Sequence, residues 1–154
     1  MKKKLTMVIL SLVLGATGIF TVNMQAKAED VGTEVPYESL LTEDSLIGYM
    51  QSQTRGVYLS SGTSNINDAG GGKIGAGGVT TAALKCRVSV NVVVERKVSG
   101  SWVRVTSWTA TRDSALFVNT GKTVSVASGY YYRVRCVHSA SSDTSSSYTG
   151  ALWM

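Results

Sequence analysis

Histidine occurs once, proline once and cysteine twice in this chain. A lone histidine, His138, excludes a multi-histidine metal site. No glycine-flanked G-x-S-x-G setting frames a serine beside it, so a nucleophile–base arrangement has no sequence support. Acids are scarce after residue 54: only Asp68, Glu95, Asp113 and Asp143, too widely spaced for a carboxylate pair. Catalytic residues, metal ligands and cofactors are therefore all expected to be absent. No apolar run reaches the roughly 20 residues that a membrane span needs. The nearest, residues 7–20, is broken by Gly15, Thr17 and Gly18.

That run has the makings of an export signal. Lys2, Lys3 and Lys4 precede it, and Ala26-Lys27-Ala28 supplies the small-x-small pattern of a cleavage site. Removal of residues 1–28 is expected, with a secreted, extracellular or cell-surface product and no stable membrane insertion afterwards. Cleavage also removes four of the 15 basic residues. The basic character of the precursor thus belongs mostly to its signal.

What remains is divided along its length. Residues 29–54 carry six acids and no base, whereas residues 55–154 carry 11 bases against four acids. The expected organisation is a signal peptide (1–28), an acidic N-terminal arm (29–55) and a β domain (56–154). Within the arm, Thr42 as a cap, Glu43 and Asp44 in a first turn, and Leu46, Tyr49 and Met50 on one face predict a short helix ending at Arg55-Gly56. A disordered arm is the alternative.

Period-two alternation dominates the rest. Leu84, Cys86, Val88, Val90, Val92 and Val94 share one face of a strand, which half-burial requires and a helix cannot use. Ser99-Gly100 predicts a two-residue turn into a second strand, residues 102–110. Centred there, the register places Val94 opposite Val105 and Glu95 opposite Arg104. It also places Trp102, Arg104 and Trp108 together on the outer face. Asn119-Thr120-Gly121 reads as a turn. After Gly129 comes another strand, with Tyr130, Tyr132, Val134, Cys136 and His138 inside and Tyr131, Arg133 and Arg135 outside. A polar loop, residues 139–147, and a last strand, residues 148–154, complete a mainly β chain, an antiparallel sandwich or related small barrel.

Three features bear on function. Cys86 and Cys136 fall on apolar faces in a chain bound for an oxidising compartment, so one disulfide is expected, with two buried thiols as the alternative. Gly70, Gly72 and Gly75 match G-x-G-x-x-G, but no helix follows to receive a phosphate, and a flexible loop is expected. Trp102, Arg104 and Trp108 form the candidate binding face, suited to cell-wall glycan or an anionic wall polymer rather than nucleic acid. The alternative for that face is burial under Leu46, Tyr49 and Met50.

The segments VVVERKVSGSWVRV (residues 92–105) and YYYRVRCVHSA (130–140) resemble strands C, C′ and F of fibronectin type III domains. More of the chain is similar to a family of small secreted proteins of Gram-positive bacteria. That similarity lies in RGVYLSSGTSNI (55–66), GGGKIGAGGVTTA (70–82), SVASGYYYRVRC (125–136) and SSSYTG (145–150). It implies secretion and a β domain and leaves function open. The expectation is a non-enzymatic binding or structural module at the cell envelope. A small effector or bacteriocin-like toxin with an acidic prosegment is the other.

Overall fold

The structure, a computed structural model, describes residues 32–51 and 56–154. The expected signal segment and Arg55 lie outside the described residues. The elements are β1 (Thr33–Glu34), a 3-10 turn (Tyr37–Leu40), β2 (Leu46–Tyr49), β3 (Leu59–Gly70), β4 (Lys73–Val98), β5 (Ser101–Ser125), β6 (Tyr131–Ala140), β7 (Asp143–Tyr148) and β8 (Leu152–Trp153). Every pairing between strands is antiparallel.

Two very long strands organise the molecule. At about 3.3 Å per residue, a straight β4 would span roughly 85 Å, far more than a domain of this size can cover on both faces. The β4–β5 ladder instead breaks between Thr81 and Cys86, and the sheet folds over on itself there. The first half of β4 lies between β3 and β5, and its second half lies between β5 and β6. One layer therefore runs β2-β3-β4-β5-β1, and the other runs β5-β4-β6 with β7 and β8 beside β6. Ile66, Ile74, Ala76, Val118 and Val124 from the first layer meet Val88, Val90, Val92, Val94, Tyr132 and Val134 from the second in one buried core.

The glycine-rich stretch is strand. β3 and β4 pair through it and turn at Gly71-Gly72, both at positive φ. A tight hairpin turn of that kind needs backbone that only glycine adopts freely. Gly75, Gly77 and Gly121 line the outer side of the first layer, where Leu40 and Tyr37 of the 3-10 turn settle onto bare backbone. Asn119-Thr120-Gly121 is likewise no turn, since β5 runs through it opposite Gly77, Gly78 and Val79. Residues expected in a polar loop form a hairpin, β6–β7, turning at Ser141-Ser142.

The acidic arm is part of the sheet. Residues expected to form a helix, or no structure, are instead strand β2, which pairs with β3 from Leu46–Ile66 to Tyr49–Thr63. Thr42 and Ser45 close a local turn, with the Thr42 amide donating to Ser45 Oγ at 2.8 Å. The edge of β3, which needed a partner for its amides, outweighed the weak helical pattern around Gly48.

Cys86 and Cys136 are not bonded to each other. Cys136 stands opposite Val92, six positions along β4 from Cys86, or about 20 Å at strand rise. A disulfide requires α-carbons within roughly 7 Å. Cys136 is fully buried against Gly78 and Val90, and burial pushes its thiol pKa well up. The expected bridge is thus replaced by two separate thiols.

Candidate functional site

The Ser99-Gly100 turn forms as expected, with both residues at positive φ, and Glu95 pairs with Arg104 in the expected register. Beyond that pair the register slips. Val94 lies opposite Thr106 and Val92 opposite Trp108, leaving Val105 as a bulge. A bulge adds one residue to one strand, so every later side chain changes face. Val92 and Val94 point into the core, and Thr106 and Trp108 point the same way. The expected trio is therefore split. Trp102 and Arg104 stay on the outer face with Ser107, whose Oγ accepts from Arg104 Nη1 at 3.3 Å. Trp108 packs against the core, and its indole Nε1 donates to Thr120 Oγ1 at 3.1 Å. Lys122, itself nearly buried, lies 5.4 Å from that ring.

Other residues take the place that Trp108 leaves. β6 pairs directly with β4, so Arg133 and Arg135 share the outer face with Trp102 rather than occupying the opposite side of the molecule. The Arg133 guanidinium sits 4.4 Å from the Trp102 ring and 5.1 Å from that of Tyr148. Lys97 Nζ lies 5.9 Å from the Trp102 ring. Beneath these groups, Glu95 is almost buried and accepts from Arg133 Nε at 2.7 Å and Arg135 Nε at 3.4 Å. One carboxylate thus fixes two guanidinium planes, and a held plane can stack where a free one would swing. Tyr131 and Trp153 extend the face with an edge-on contact, centroids 4.9 Å apart, and both are exposed.

The result is a platform of four aromatic rings (Trp102, Tyr131, Tyr148 and Trp153) and the cations Lys97, Arg133 and Arg135, with Arg104 on the same face and Glu95 holding the two arginines of β6. Half of this was legible. Tyr131, Arg133 and Arg135 alternate visibly on one face of β6, but which strand lies beside β6 has no mark in the sequence.

Beside the platform, a groove of about 470 Å³ is lined by Tyr49, Gln51, Thr144, Ser145, Ser146 and Tyr148. It follows the seam where β2, the edge of one layer, meets β7, the edge of the other.

His138 is fully buried between two hydroxyls, with Nδ1 2.8 Å from Thr80 Oγ1 and Nε2 2.7 Å from Ser147 Oγ. Burial lowers its pKa to about 4. No group of three or more metal-ligating side chains is clustered among the described residues.

Comparison with known proteins yields a match to the model of a family of unknown function over residues 25–151. No curated protein matches the chain. Among solved structures, it is similar to the solution structure of R. palustris CsgH at 21% identity. That match covers 54% of this chain and 83% of the other, with a TM-score of 0.37.

Proposed function

The chain belongs to that family of unknown function, DUF6147, and on this footing we propose that it is a secreted, non-enzymatic module that binds an anionic glycan or wall polymer at the cell envelope. The observation that carries the reading is the Trp102–Arg133–Tyr148 stack on an open sheet face. Rings and charges of this kind cost solvation when they are ordered at a surface, and a partner that stacks on one and neutralises the other recovers it. Each cation–ring contact contributes about 0.5–2 kcal/mol, depending on how dry it becomes. Lys97, Arg133 and Arg135 around the Glu95 carboxylate leave a positive balance, which favours a polyanion. The groove beside the platform, lined by Thr144, Ser145 and Ser146, favours a polymer with sugar rings over a nucleic acid.

Binding of purified wall teichoic polymer, followed by tryptophan fluorescence, tests this. Trp102→Ala should weaken binding about tenfold, equivalent to about 1.4 kcal/mol. Affinity should also fall as salt rises, because exposed charges are screened within roughly 10 Å at 0.1 M. Trp108→Ala should leave affinity unchanged in the folded fraction. Failure of the wild-type protein to bind would overturn the proposal.

A further inference from the structure

The groove between β2 and β7 has a construction that the platform does not explain. Gly48 of β2 lies against the Tyr148 backbone, and a methyl group at this position would overlap the Tyr148 carbonyl. Only a glycine lets the two edge strands approach so closely. Ser145 Oγ donates to Gln51 O at 3.3 Å across the seam, and Ser64 Oγ of β3 donates to Gly48 O at 3.5 Å, holding β2 to its own layer. The neighbours of these fixed points are two large rings left in solvent: Tyr49 is 70% exposed and Tyr148 is 48% exposed. Between them lie the hydroxyls of Thr144, Ser145 and Ser146 and the amide of Gln51. Alternation along β7 turns Thr144, Ser146 and Tyr148 to the same face.

We infer that this groove is a subsite for a neutral pyranose ring, held between Tyr49 and Tyr148. A sugar ring offers C–H faces to aromatic planes and hydroxyls around its rim, and this lining has both complements and no charged side chain. The volume lies within the range of small-ligand sites. Tyr148 belongs to both places, since its ring also meets Arg133. A polymer that alternates anionic and sugar units would therefore cross from the platform into the groove. The ligand class rests on the envelope-polymer reading above, while the site itself rests on the seam.

The two are separable with two probes. A chito-tetraose carries sugar rings without charge, and a poly(glycerol phosphate) carries charge without sugar. Saturation-transfer NMR should show contact between wild-type protein and the ring protons of the tetraose. Tyr49→Ala, a change at an exposed edge, should weaken that contact at least tenfold and leave poly(glycerol phosphate) binding intact. Trp102→Ala should do the reverse. Charged-polymer binding without tetraose binding would sink the groove inference and leave the proposed function standing. Tetraose binding that is indifferent to Tyr49→Ala would place the sugar elsewhere. Tetraose binding alone would keep the groove and remove the polyanion, and binding of neither probe would end both.

Discussion

At the scale of single residues, His138 sets an acid limit on the fold. Its imidazole has lost water on every side, and its two nitrogens meet only the hydroxyls of Thr80 and Ser147. Burial keeps it neutral down to about pH 4, whereas an unfolded chain takes up the proton near 6.5. Between those values the unfolded state holds one more proton, so stability is complete above pH 6.5 and declines as pH falls towards 4. Each pH unit in that window removes up to about 1.4 kcal/mol, roughly 3 kcal/mol in all. Urea melts of wild type and His138→Gln at pH 7 and pH 4.5 should show a steeper loss for the wild type. Parallel losses would mean that the histidine is not buried neutral. The sequence placed His138 correctly on the apolar side of its strand. Its partners were not legible, because Thr80 and Ser147 reach it from two other strands.

At the scale of elements, period-two patterns were readable wherever one face is apolar and the other polar, as in residues 88–94. They failed where both faces carry small residues. Gly75, Gly77 and Gly121 look like loop because nothing in their own strand shows that Leu40 will rest on them. Leu40 is 2% exposed and is seated on that bare backbone. Leu40→Ala should therefore cost about 2–5 kcal/mol, as for other buried leucines, measured by chemical denaturation. A loss below 0.5 kcal/mol would show that the turn is loosely held. The Val105 bulge was invisible for a different reason: one extra residue in a β-branched strand leaves no signature, yet it decides which tryptophan faces the solvent. Deleting Val105 should remove the extra residue yet keep Thr106 opposite Val94 and Trp108 opposite Val92, so tryptophan emission should not shift. A red shift in a folded variant would place the irregularity elsewhere in β5.

At the scale of the whole molecule, the fold-over of β4 and β5 separates the cysteines that local patterning had paired. Cys86 lies half-exposed by the bend and Cys136 lies in the core. One thiol should react with a thiol reagent in the native protein and two after denaturation, and a reducing agent should leave the melting temperature unchanged. The fold-over also decides what the acidic segment is. β1 lies on the far end of β5, β2 covers an edge of β3, and the 3-10 turn between them seals the glycine face. Without residues 32–50, Asn65, buried where its amide donates to Leu40 O at 3.0 Å, would lose that partner. The β3 edge would lose its ladder, and the glycine-lined backbone would meet water. Each loss costs on the order of a few kcal/mol, against a total stability of about 5–15 kcal/mol for a domain of this kind. A chain beginning at Gly56 should therefore lack a cooperative thermal transition and bind hydrophobic dyes, whereas a chain beginning at Glu29 should melt sharply. If the shorter chain melts cooperatively within a few degrees of the longer one, the acidic segment is an appendage to a separate β domain.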